Sequence, residues 1–198
     1  MYTIKDDIEN TIIIKNSKFI TNIYYVESLI DIKDKLELIK NKYNDATHNT
    51  YAYILGNNIK CSDDNEPSNT AGKPMLNVLT EKNLNNILVI TTRYFGGIKL
   101  GAGGLVRAYT KSVTTTLNNA IIVPLIKGYN IDITFNYNSL KEIDYLLKDT
   151  PILKKEYNDI IKYNLDIDNN LLDKLNIITN INITINEDKY IKKLFFDK

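Results

Sequence analysis

The sequence predicts an α+β fold divided into two domains, at residues 1–126 and 127–198. Three observations predict it. β-rich runs alternate with segments whose apolar residues recur every three or four positions, the helical period. One run, residues 86–92 (NILVITT), is apolar almost throughout, as expected of a strand buried on both faces. The pattern changes between Val123-Pro124-Leu125 and Gly128, and beyond it the elements follow the order β-α-β-β-α-β, the ferredoxin-like split motif.

Each element has a local reason. After a short N-terminal arm, itself a candidate strand, residues 17–26 (SKFITNIYYV) read as a strand. Ser28 opens a helix with Asp31 at the N3 position of an approximate capping box, and Ile32, Leu36, Ile39 and Tyr43 form one apolar stripe. Residues 48–55 (HNTYAYIL) read as a second main strand and 57–73 as a long polar loop rich in turn formers. Pro74 suits the first turn of a short helix through Val78 and Leu79. After the buried strand comes RYFGGIKLGAGGLVRAY, which holds five of the chain's eight glycines. A helix is expected from Gly104, because Leu105, Tyr109, Val113 and Leu117 recur every four residues. Arg107 and Lys111 fall on another face of that helix.

The second domain is expected to contain strand 129–137, helix 139–148, strands 152–157 and 160–167, helix 169–177 and strand 180–186. Ser139 with Glu142 makes a capping box, and Asp168 suits the N-cap of the last helix. Residues 190–196 read as either a further strand or a small helix.

Hydrophobic residues make up 43% of the chain and charged residues 25%, an ordinary globular composition that argues against disorder. A lone Cys61 has no partner for an internal disulfide, which fits a reducing compartment. No apolar stretch approaches the roughly 20 residues of a membrane span. Residues 1–10 carry Asp6, Asp7 and Glu9 without an apolar core and do not read as a signal peptide. The expectation is a cytoplasmic protein without membrane association. Abundant Ile, Asn, Lys and Tyr reflect AT-rich codon usage, so the 14 tyrosines are not read as a stacking platform. A net charge of +1 argues against strong nonspecific nucleic-acid binding. Charge is nevertheless segregated: no Asp or Glu occurs from Lys82 to Ile131, where Arg93, Lys99, Arg107, Lys111 and Lys127 also lie.

The glycine-rich segment is the strongest local feature. Glycines let backbone N–H groups approach a ligand closely, and a helix N-terminus adds partial positive charge. Arg93, Lys99, Gly101, Gly103, Gly104, Arg107 and Lys111 are therefore candidates for holding phosphate, free or in a nucleic-acid backbone. The spacing matches neither the P-loop nor the dinucleotide fingerprint, and tight turning with close helix–sheet packing explains the glycines equally well. The segment 61–72 (CSDDNEPSNTAG) brings together Asp63, Asp64 and Glu66. These carboxylates suit divalent-cation binding, but turn formation or pairing with the basic segment explains them better, and no metal is predicted. His48, the only histidine, is a candidate general base with Asp63 or Asp64 as orienter, or a structural hydrogen-bond hub. Ser62 and Ser68 lack a G-x-S-x-G context, and no cofactor motif is present.

Residues 17–20 (SKFI), 46–53 (ATHNTYAY), 62–72 (SDDNEPSNTAG) and 93–109 (RYFGGIKLGAGGLVRAY) together resemble the YigZ/IMPACT family in order and spacing, over roughly residues 15–120. Asn65 and Asn69 stand where the family pattern has Gly, and Thr50 where it usually has Cys. Asn is the residue best able to replace Gly at positive φ, so the loop shape is expected to survive. The resemblance implies an N-terminal domain of the ribosomal-protein-S5 domain-2 type, shared with elongation factor G. It also implies a ferredoxin-like C-terminal domain, in agreement with the β-α-β-β-α-β order. No established reaction comes with the family, and the chain has no H-E-x-x-H or comparable set to support a proline-dipeptidase label.

Two functional readings follow from the sequence and the resemblance. The first is a translation-associated protein that binds RNA, the ribosome or a translation-regulatory protein without catalysis. The alternative is a small-molecule phosphate-ester or nucleotide hydrolase using His48, Asp63, Asp64 and Glu66 beside Arg93. Carboxylates converging within coordination distance in a concave pocket favour the enzyme, and a flat or grooved basic face with the carboxylates tied up in backbone hydrogen bonds favours the binder.

Overall fold

A computed structural model describes residues 1–193. The chain divides into two compact units, Met1–Pro124 and Leu125–Lys193 among the described residues.

In the first unit, β1 (Tyr2–Ile4) is followed by β2 (Ile8–Ile14), β3 (Ser17–Tyr25), α1 (Leu29–Lys42), β4 (His48–Leu55) and β5 (Asn58–Ser62). Then come α2 (Gly72–Glu81), β6 (Ile87–Tyr94) and α3 (Ala102–Asn118), and β7 starts at Ile122. The antiparallel sheet has the order β2-β3-β6-β4-β5, while β1 pairs with residues 122–124. The central strand β6 is buried from Ile87 to Arg93, as its apolar run predicts. Ile87 and Val89 join the core formed with α2 and α3, through Met75, Leu79, Leu105, Tyr109 and Val113. Leu88 and Ile90 join Ile32 and Ile39 of α1 in a separate cluster. The sheet is thus covered on both faces, by α1 on one and by α2 and α3 on the other. The capping box of α1 is complete: Ser28 Oγ accepts from Asp31 N at 3.0 Å and Asp31 Oδ2 accepts from Ser28 N at 3.2 Å.

Two expectations for this unit are corrected. The stretch 57–73 is not all loop, because β5 forms a hairpin with β4 across a turn at Gly56-Asn57, with Gly56 at φ +57°. The Gly-Asn pair between the β-branched Ile54 and Ile59 is the hairpin signal that finds it. Helix α3 starts at Ala102, with Gly101 as N-cap at φ +69°, rather than at Gly104. Gly104 belongs inside the first turn because a side chain there would press on Leu100, whose Cβ lies 3.1 Å from an ideal Cβ position.

In the second unit, β7 (Ile122–Phe135) continues and is followed by a 3₁₀ turn (Tyr137–Ser139) and α4 (Leu140–Leu146). The unit then runs through β8 (Ile152–Tyr157), β9 (Ile161–Asp168), α5 (Asn169–Ile177) and β10 (Ile181–Lys192). The strand order is β8-β9-β7-β10, all antiparallel. Alternate residues of β7 and β9, among them Ile131, Ile133, Tyr163 and Leu165, pack with Ile143, Leu147 and Leu175 from the helices. Asp168 caps α5, accepting from Leu171 N at 2.9 Å. The Ser139–Glu142 box does not form: Ser139 already has helical dihedrals (φ −90°, ψ −4°), so its side chain is not in N-cap geometry. Strand β10 runs six residues beyond the expected Asn186, through a bulge between Ile185 and Glu187. Residues 190–192 continue that strand, and the remainder of the expected tail element, from 194 on, lies outside the described residues. Among the described residues no helix is long and apolar enough to cross a membrane.

Candidate functional site

Strand register assembles the polar cluster at the end of the first unit's sheet. Arg93 of β6 lies abreast of Phe19 on β3 and His48 on β4. Its guanidinium is buried: Nη1 donates to Glu66 Oε1 at 2.7 Å and Nη2 to Ser17 Oγ at 3.4 Å. The rings of Phe19 and Phe95 flank it, each centroid 5.6 Å from Cζ. Tyr109 also donates to Glu66 Oε1, at 2.7 Å. Burial first, and the Glu66 carboxylate second, push the Tyr109 phenol far above its usual range. His48 Nε2 is 3.7 Å from Glu66 Oε2, and its Nδ1 donates to the Asp64 carbonyl at 2.7 Å.

The acidic loop is tied to its own backbone. Asp63 Oδ1 accepts from Ala71 N (2.9 Å) and Gly72 N (2.8 Å), and Oδ2 from Asn69 N (2.8 Å). This carboxylate therefore serves the amides at the start of α2 that have no intrahelical acceptor, where the N-cap, Ala71, offers no side-chain acceptor of its own. Asp64 Oδ2 accepts from Asn49 N. Asn65 and Asn69 have φ of +65° and +61°, the left-handed conformation in which Asn substitutes for Gly.

The hydrolase constellation is thus brought together but differently employed. Neither Asp63 nor Asp64 offers its carboxylate to His48; Asp64 reaches it only through a main-chain carbonyl. No group of three or more His, Cys, Asp or Glu side chains among the described residues is arranged to hold a metal ion. Arg93, grouped in the sequence with the exposed cations, is instead the buried partner of Glu66. Sequence reasoning missed Tyr109 and Ser17: Tyr109 reads as one more member of an apolar stripe, and nothing in its spacing reveals that its hydroxyl meets a carboxylate. Cys61 is half-buried, and burial with the nearby Asp63 charge raises its thiol pKa, as suits an unreactive cysteine.

The glycine segment joins β6 to α3 on the surface. Gly96 is needed for a close approach, since a Cβ there would sit 2.0 Å from the Asn16 carbonyl carbon. Its amide donates to Ser17 Oγ at 3.2 Å. Gly101 and Gly103 are exposed and Gly104 partly so, while Lys99 is exposed in the loop and Arg107 and Lys111 are exposed on α3. Arg107 leans back over the first turn, its Nη1 3.7 Å from an ideal Cβ position on Gly103. Lys99, Arg107 and Lys111 make no ion pair among the described residues.

Comparison with known proteins gives consistent matches. Residues 15–117 match the model of the Impact N-terminal domain. The Bacillus subtilis protein described as IMPACT family member YvyE is 40% identical over 158 residues, covering 78% of this chain and 73% of the relative. The Escherichia coli protein described as IMPACT family member YigZ is 33% identical over 151 residues, covering 73% of this chain and 74% of the relative. A crystal structure described only as that of a hypothetical protein aligns with a TM-score of 0.65 and 27% identity, covering 94% of this chain and 97% of that one.

Proposed function

Because the chain belongs to the IMPACT family, we propose that it is a translation-associated protein that binds RNA, on the ribosome or free, through the glycine segment and the exposed face of α3. The observation that carries this reading is the position of Arg107. Its guanidinium lies alongside the first turn of α3, Nη1 3.7 Å from an ideal Cβ position on Gly103, so an anion bound at the positive end of the helix dipole would meet it. Lys99 and Lys111 add unpaired positive charge in a stretch without Asp or Glu from 82 to 131. Gly101, Gly103 and Gly104 lie at the N-cap and in the first turn of α3, where amides have no intrahelical acceptor and are donors of the kind that bind phosphate. The commitment of Asp63, Asp64 and Glu66 to amides, Arg93 and Tyr109 argues for a binder over the hydrolase. The translation setting draws on fold assignments that are part of the same proposal: a ribosomal-protein-S5 domain-2-like, elongation-factor-G-like first unit and a ferredoxin-like second unit. The β-α-β-β-α-β order and the strand order β8-β9-β7-β10 support the latter. A translation-regulatory protein as the docking partner is the competing occupant of this face.

The test is co-sedimentation with ribosomes and binding to RNA across a salt series. Wild type is expected to bind at low salt and to weaken steeply as salt rises. The double variant R107Q/K111Q removes two charges at little cost in helix propensity. It should bind more weakly to unrelated RNA sequences, with the salt slope reduced by about one unit per lost phosphate contact. A folded double variant with wild-type affinity and slope removes this face from the mechanism, and absence of RNA or ribosome binding by wild type removes the reading.

A further inference from the structure

Phe95 is an exposed aromatic ring at the start of the loop that carries Lys99 and leads into α3. It follows β6 directly and is 47% exposed, with Ile98 45% exposed in the same loop and Val106 37% exposed beside Arg107. Its position is nonetheless fixed from within. The Arg93 guanidinium packs against the ring, and that guanidinium is itself held by Glu66. The Phe95 amide donates to Thr47 Oγ1 at 3.0 Å. One side of the ring is therefore supported by the core while nearly half of the residue meets solvent. Leaving a large ring exposed sacrifices burial energy. An aromatic next to a basic, amide-rich segment is the combination that binds single strands: bases stack on the ring while cations meet the phosphates.

Resting on the RNA-binding reading above, we infer that this face takes single-stranded RNA, with one base stacked on Phe95 and the flanking phosphates met by Lys99, Arg107 and Lys111. A duplex hides its base faces and offers only its backbone, so Phe95 adds affinity for single strands and none for duplex.

The chain contains no tryptophan, so F95W places a single tryptophan at the stacking position, which can be excited selectively over the 14 tyrosines. The full-length variant is titrated at low salt with a short mixed-sequence single-stranded RNA and with a duplex of the same sequence. Emission is expected to be quenched by the single strand and left unchanged by the duplex. F95A should weaken single-strand binding by about tenfold while leaving duplex affinity and the salt slope as in wild type. F95W, which keeps an aromatic ring, should retain wild-type affinity, so that a loss confined to F95A reports the ring rather than the fold. Unquenched F95W together with wild-type affinity of F95A for the single strand overturns the stacking role; if R107Q/K111Q still weakens both RNAs, the phosphate face stands without it. Absence of RNA binding by wild type overturns both.

Discussion

Glu66 holds three groups that are far apart in the chain, with Arg93 and Tyr109 on one oxygen and His48 facing the other. Its side chain and that of Arg93 are almost wholly shielded from water, so neither charge can be left alone cheaply. Glu66→Ala is expected to destabilise the protein by about 3–5 kcal/mol, because it abandons a buried guanidinium; chemical denaturation measures it, and a loss under about 1 kcal/mol means that water reaches Arg93. Tyr109 gives a second residue-scale test, with a sign fixed by linkage. Its folded pKa is raised above the unfolded value, so its contribution is complete below about pH 10 and declines as the pH climbs toward the folded pKa. Above about pH 10 the unfolded phenol ionises while the buried one stays protonated, which removes up to about 1.4 kcal/mol of stability per pH unit. Stability curves from pH 9 to 11 should therefore be shallower for Tyr109→Phe than for wild type. Equal slopes would mean that Tyr109 ionises as readily folded as unfolded.

The loop and glycine segment are shaped by backbone demands that substitutions can separate. Asn65→Gly and Asn69→Gly keep positive φ available and should change stability by no more than about 1 kcal/mol. Proline cannot adopt positive φ, and at 69 it also removes the amide that donates to Asp63, so Asn→Pro should cost several times more in thermal unfolding. Equal tolerance of Pro and Gly would contradict the left-handed conformation at these sites. Within the glycine segment, Gly96→Ala drives a Cβ into the backbone of Asn16 and Ser17 and should be severely destabilising. Gly103→Ala meets only the flexible end of Arg107 at ordinary contact distance, and Ala is the better helix former, so its stability should match or exceed wild type. Similar melting temperatures for the two variants would refute the close approach at Gly96.

At the scale of the whole molecule, each compact unit has its own core: residues 4–117 contribute two buried clusters and residues 131–175 a third. A fragment of residues 1–126 retains the residues at 122–124 that pair with β1 and is expected to unfold cooperatively by itself, with calorimetry as the readout. A non-cooperative fragment would mean that the first core depends on the second unit. Local rules account for what could be read without coordinates. The period of Leu105, Tyr109, Val113 and Leu117, the Ser28–Asp31 box and the Asp168 cap depend on neighbours within a few positions, and each is present in the fold. The resemblance to the IMPACT family was likewise legible, because its motifs are contiguous runs of residues. The Gly56-Asn57 hairpin carries a local signal of its own, but residues 57–73 read as loop because polar turn formers surround it. The Ser139–Glu142 box shows the limit of a local rule, since the 3₁₀ turn had already committed Ser139 to helical geometry. The sequence by itself determined most of the elements, with β5 read as loop, together with their order and the acid-free stretch. Only the tertiary structure decided which charges are spent: pairing of β3, β6 and β4 sets Phe19, Arg93 and His48 in one row, and the loop before α2 brings Glu66 to Arg93, where Tyr109 of α3 meets the same carboxylate oxygen. Side-chain periodicity is a property of neighbouring residues and fixes which face each residue takes, whereas the partner of a charge depends on which strand, loop or helix lies beside it across tens of residues, which that pattern does not name.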